Sequence, residues 1–135
     1  MFAGAAMPNY QQQENGRVVD LGATASERSF AMITHLSLIA AHFTGLLVVI
    51  PLIMWLIKRH ESTFIDDHGK EVVNFQISLV IYALIVTAVT ILTCGVGAIA
   101  FIAIYVLAVV GMIMGAVAAN RGEIYRYPAT MRFIT

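Results

Sequence analysis

Three apolar runs without a single charge constrain this chain more than any other feature. Phe30 to Ile57 (28 residues), Val72 to Thr93 (22 residues) and Ala98 to Ala119 (22 residues) contain no Asp, Glu, Lys or Arg. At 1.5 Å per residue each of the later runs makes about 33 Å of helix, which matches a bilayer hydrocarbon core of about 30 Å. Backbone amides in hydrocarbon must be paired within their own segment, so the Val, Ile and Thr content of these runs does not argue for strands. Residues 72–93 and 98–119 are therefore expected to be full transmembrane helices. Composition agrees: 59% of residues are hydrophobic and 12% charged, against about 45–50% and about 25% in soluble domains. A soluble domain of 135 residues could not hide that much apolar surface.

The first run is too long for one straight crossing, because as a single helix it would measure about 42 Å and need a tilt of about 45°. Thr44 and Gly45 offer a break, and Pro51 removes a backbone donor shortly after. Two short segments, 31–43 and 46–57, are expected, as a shallow hairpin or a sharply bent crossing. Lys and Arg favour the hairpin, since they collect on the cytoplasmic side of a span. Lys58, Arg59 and Lys70 precede the second run, Arg121, Arg126 and Arg132 follow the third, and Arg17 and Arg28 precede the first, whereas Cys94 to Gly97 carries none. A hairpin puts them all on one side. The expected fold is thus all-α, a polytopic helical membrane protein of four helical segments. Residues 28–134 form its single domain, with a polar loop at 58–71 and a tail at 120–135, both cytoplasmic in a bacterial inner membrane. Residues 1–27, polar and without periodicity, are expected to be a mobile tail with no secretory leader. Thr24 and Glu27 fit a capping box, Asp67 could cap a helix opening near Gly69, and Asn120 with Gly122 reads as a helix stop.

Charge and motifs exclude several functions. Eight Lys plus Arg balance eight Asp plus Glu, so there is no basic excess for nucleic acid. Cys94 stands alone, which leaves no disulfide framework and no CxxC site. No GxSxG, Walker A or zinc-ligand spacing occurs, and no carboxylate pair sits in an apolar setting that would raise one pKa. Gly95, Gly97 and Ala100 lack the surrounding βαβ unit of a dinucleotide site and read as a turn between spans. No enzymatic activity, cofactor or resident metal is expected.

What remains is polar chemistry near one membrane face. The segment Lys58 to Glu71 reads KRHESTFIDDHGKE; its His and acidic residues match neither HExxH nor a Ca²⁺ loop, and each acid has a basic neighbour. Asp66, Asp67, His68, Lys70 and Glu71 are instead candidates for a partner interface or a solvated loop. Asn74, Gln76 and Ser78 open the next run and would bond across helices. Tyr125, Arg126 and Tyr127 suit the headgroup level. His35 and His42, seven residues apart, share a helix face about 10.5 Å apart and cannot hold one metal together. Packing or interfacial roles are expected for them. Gly111 and Gly115 form GxxxG, extended by Ala108 and Ala119, for close approach of a helix of this chain or of another copy.

Residues 63–82, TFIDDHGKEVVNFQISLVIY, and 119–134, ANRGEIYRYPATMRFI, together with THLS at 34–37 and PLIMWLIKR at 51–59, resemble the small bacterial membrane proteins of domain-of-unknown-function family 4870. These are distantly similar to a subunit of the chloroplast inner-envelope (Tic) import machinery. The resemblance covers Arg28 to Ile134 and implies four helical segments and a membrane location, with no catalytic residues to carry over. The expected function is that of a non-enzymatic accessory, assembly or interaction protein in the bilayer, alone, as a homo-oligomer or with a membrane-protein partner. The alternative is an oligomeric channel or translocation component.

Overall fold

The computed structural model describes residues 8–44 and 49–135, with side chains described outside 41–44. Met1 to Met7, the side chain of His42 and the turn expected after Thr44 lie outside the described residues. Within them the protein is mostly helical. Helix α1 runs Ala25–Thr44, α2 Val49–Lys58, α3 Thr63–Leu92 and α4 Ala100–Asn120, and a short 3-10 turn at Val96–Ile99 joins α3 to α4.

The helix starts follow side-chain caps. Thr24 N donates to Glu27 Oε2 at 2.6 Å while Glu27 N donates to Thr24 Oγ1 at 3.3 Å, the reciprocal capping box of α1. Ser62 Oγ accepts from Phe64 N at 3.2 Å and caps α3. That cap corrects the sequence reading: α3 opens at Thr63 instead of near Gly69, and Asp67 is held inside it. The polar loop expected over 58–71 shrinks to residues 59–62, because a good cap and helix-compatible residues outweigh local polarity. At the other end, Gly122 at φ +74° follows the last turn of α4.

Residues expected to form a mobile tail instead form an antiparallel ribbon, β1 (Tyr10–Gln12) with β2 (Val18–Asp20), in which Gln11 faces Val19. Its turn places Gly16 at φ +80°, and Gln13 N donates to Arg17 O at 2.8 Å. The ribbon is anchored on the end of α4: Asp20 N donates to Gly122 O at 2.9 Å and Ile124 N to Val18 O at 2.7 Å. The N-terminus of α1 is at this same end, where the Lys58 ammonium sits 5.4 Å from the centre of the Phe30 ring. Helices α1 and α2 thus go out and come back. Leu38 packs in one cluster with Phe75 and Met112, so Thr44 reaches only about 9 Å further along the bundle.

α3 and the segment Val96–Asn120 are long and apolar enough to cross a bilayer. Core helices of soluble proteins pass the same length test but are mostly buried, whereas only 22% and 17% of these two most apolar stretches is buried. Leu92 (83% exposed), Ile91 (73%) and Ile99 (72%) are among the side chains presented outward. An apolar surface of this kind argues for lipid as the surrounding medium.

Candidate functional site: a polar seam between α3 and the C-terminal segment

Asp67, Glu71, Asn74, Ser78 and Tyr82 recur every three or four residues along α3 and so share one face. The C-terminal segment lies on that face. Arg126 donates two hydrogen bonds to Asp67, each 2.6 Å, in a bidentate, charge-assisted pairing. Tyr127 N donates to Glu71 Oε1 at 2.8 Å, and Arg132 pairs with the same carboxylate at 3.3 Å. Deeper along α3, Met131 N donates to Ser78 Oγ at 2.8 Å, and the Tyr82 hydroxyl donates to Ala129 O. Asn74 then meets the returning chain, accepting from Phe133 N at 3.0 Å and Ile134 N at 2.9 Å and donating to Ile134 O at 2.8 Å. The segment therefore runs inward beside α3 as far as Tyr82, about 16 Å of helix beyond Glu71. It turns at Pro128 and Ala129 and comes back to Asn74. Pro128 at the turn has no N–H to satisfy.

Behind this seam lies a buried chain of hydrogen bonds. Tyr127 Oη is 2.5 Å from His35 Nδ1, His35 Nε2 is 2.8 Å from His68 Nδ1, and His68 Nε2 is 3.1 Å from Glu123 O. A carbonyl can only accept, so His68 Nε2 carries its proton. With both rings neutral, His35 Nε2 then donates to His68 Nδ1, and Tyr127 donates to His35 Nδ1. One carbonyl fixes the direction of every bond. Tyr127 also stacks on Phe75, with ring centres 3.9 Å apart and planes 5° from parallel.

Gly111 and Gly115 make room for this arrangement. A Cβ on Gly115 would lie 2.5 Å from His35 Nδ1, and one on Gly111 would lie 3.0 Å from Tyr127 Cδ1 and 3.1 Å from Phe75 Cζ. The small-residue stripe thus accommodates side chains of the same chain.

Of the residues singled out in the sequence, Asp67, His68, Glu71, Asn74, Arg126 and Tyr127 converge on the seam, and Tyr125 packs edge-on against Tyr127 at 5.0 Å. Asp66 and Lys70 lie apart from it. Asp66 pairs with Lys70 at 2.9 Å and accepts from Trp55 Nε1 at 2.8 Å, which fixes α2 on α3. Gln76 points to the opposite face of α3. His35 as the partner of His68 is not legible in the sequence, because the polar run Lys58 to Glu71 reads as a loop with no fixed face. Tyr82 as a partner of the Ala129 carbonyl and Glu123 as the mate of Arg17 at 3.1 Å also escape a sequence reading. The run of polar residues at helical spacing from Asp67 to Tyr82 was the available signal. Among the described residues no group of three or more His, Cys, Asp or Glu is placed to hold a metal ion.

A family model described as the magnetosome magnetite crystal formation protein family, MamF/MmsF, matches residues 26–134. The chain belongs to that family. This corrects the resemblance drawn from the motifs, since the matching family is neither domain-of-unknown-function family 4870 nor a Tic subunit. No curated protein and no solved structure matches the chain. The match begins within α1 and ends in the C-terminal segment, so both sides of the seam fall inside the matched range and the ribbon falls outside it. Membership of MamF/MmsF and the two exposed apolar helices together support a membrane location.

Proposed function

We propose that this protein is a multi-pass membrane protein with no catalytic activity of its own, acting by contact as an accessory or assembly factor in magnetite crystal formation. The magnetite part of this reading rests on the family description. The contact part is carried by one observation: the polar and titratable side chains of the seam are engaged in holding the C-terminal segment. Such an arrangement fixes a shape and leaves those groups committed. With α3 in a bilayer, residues 126–134 become a re-entrant segment, and the side-chain partners on α3 answer the need to pair irregular backbone at that depth. The polar end, with all eight Lys and Arg, then faces the cytoplasm by the positive-inside rule. It presents the ribbon turn and the 59–62 connection to a protein partner.

Photoreactive residues placed at Asn15 and Glu61, both exposed, test this in native membranes. The expected product is an adduct with a second membrane protein of defined mass. Adducts only between copies, with ion or solute flux in liposomes, would favour an oligomeric channel and overturn the accessory reading. Deletion in a magnetosome-forming host is expected to change magnetite crystal size or number; unchanged crystals would overturn the magnetite reading alone.

A further inference from the structure

Gln76 is 1% exposed and its Oε1 has no hydrogen-bond partner among the described residues. It lies on the face of α3 turned away from the C-terminal segment, as do Val80, Ala83 and Thr87. Together with Phe101 and Tyr105 of α4, these residues line a cavity of about 420 Å³. The cavity is elongated, because Gln76 and Thr87 stand about 16 Å apart along α3. Thr87 spends its hydroxyl on its own helix, donating to Ala83 O at 2.7 Å. The groove is thus a largely apolar channel with a buried unsatisfied acceptor, Gln76 Oε1, at the end towards the start of α3. A buried acceptor left without a donor is costly, and native structures rarely leave one.

We propose that this groove binds a membrane amphiphile whose polar end is a hydroxyl and whose body is a hydrocarbon chain. The hydroxyl donates to Gln76 Oε1 and the chain lies between α3 and α4 towards Phe101. Gln76 is about 7 Å further along α3 than Glu71. The Gln76 amide offers an acceptor at Oε1 and donors at Nε2; an ester can meet only the donors, whereas a hydroxyl both donates and accepts and can meet Oε1. The small side chains of Ala83 and Ala108 leave the width for a single chain. The inference rests on placing α3 and α4 in a bilayer, which alkaline extraction of the membranes tests separately.

The probe is a photoactivatable diazirine analogue of hexadecanol, added to the full chain in liposomes, with labelled peptides mapped by mass spectrometry. Labelling is expected on α3 and α4 peptides bordering the groove, competed by hexadecanol and about tenfold less well by hexadecane, the worth of one buried hydrogen bond. Gln76→Leu should abolish that preference while leaving the protein folded. Ala83→Phe, which fills the groove without touching Gln76, should reduce labelling itself. Equal competition by alcohol and alkane, a preference for the alcohol that survives in Gln76→Leu, or no labelling above that of bulk lipid-facing helix would each overturn the proposal.

Discussion

The two ends of the α3–α4 pair are built on opposite principles. Towards the polar end, α3 is buried from Phe64 to Leu79 and α4 from Ala108 to Ala119, covered by α1, α2 and the C-terminal segment. Towards the Cys94 turn, no α3 residue beyond Leu79 and no α4 residue before Ala108 is buried. The first region gains specificity from directional bonds among His35, His68, Tyr127, Glu71 and Asn74. The second presents mainly apolar side chains outward, with Thr87 and Thr93 bonded back to their own helix, and its fold depends on the medium supplying what a core would. A bilayer does this at no cost to the backbone, because each helix pairs its own amides. The contrast implies that substitutions at the polar end should be felt by the whole molecule, and those at the far end hardly at all.

The sharpest break in that contrast is Gly115→Ile. The new side chain collides with His35 and parts the histidine pair, and a loss of about 3 kcal/mol is expected from overpacking, read as a large fall in Tm in detergent. Wild-type stability would refute the close approach. Tyr127→Phe keeps the stacking on Phe75 and removes only the donor to His35 Nδ1. It should cost about 1–3 kcal/mol, the price of one unsatisfied buried acceptor, measured by the same melting.

Asn74→Ala removes three bonds to the returning chain and should release residues 130–135 to protease before global unfolding. Equal cleavage rates in both proteins would mean that Asn74 does not hold the segment. A smaller effect is expected at Glu27. Burial alone would raise its pKa, but hydrogen bonds from Ser62 and Thr24 outweigh that and hold it below 4.5. A depressed carboxyl stabilises the fold above its unfolded pKa, and that contribution disappears as pH falls through the folded value. Glu27→Gln should therefore lower Tm slightly at neutral pH and converge with the wild type in acid. Least of all is expected from Ile102→Ala in the exposed far region, less than about 0.5 kcal/mol.

Much of this architecture is legible in the sequence, and the rest is hidden for identifiable reasons. Charge-free runs mark α3 and α4 because each is as long as a bilayer hydrocarbon core is thick and admits only helix there. The capping box at Thr24 and the stop at Gly122 are local signals that need no tertiary knowledge. The start of α3 is obscured because Lys58 to Glu71, apart from Phe64 and Ile65, is polar and reads as loop, although a Ser62 cap is enough to begin a helix. That reading conceals the histidine pair, since a loop residue has no fixed face to offer His35. The ribbon was missed although Asn15–Gly16 is a turn signal, because its strands are three residues each and lean on the end of α4. The pairing of Asp67 with Arg126 spans 59 positions in sequence and no local pattern encodes it. Asp67, Glu71, Asn74 and the Tyr125–Tyr127 segment were recognised as a polar group, but the sequence could not say that they bind one another.

The central claim is that the C-terminal segment descends beside α3 to the level of Tyr82 and returns. A spin label at position 129, in a variant with Cys94 replaced by Ala and reconstituted in liposomes, measures this directly. The account predicts that the label is shielded from a water-soluble nickel chelate and accessible to oxygen, well below the depth of a label at position 121. Equal exposure of the two positions to the chelate would contradict it.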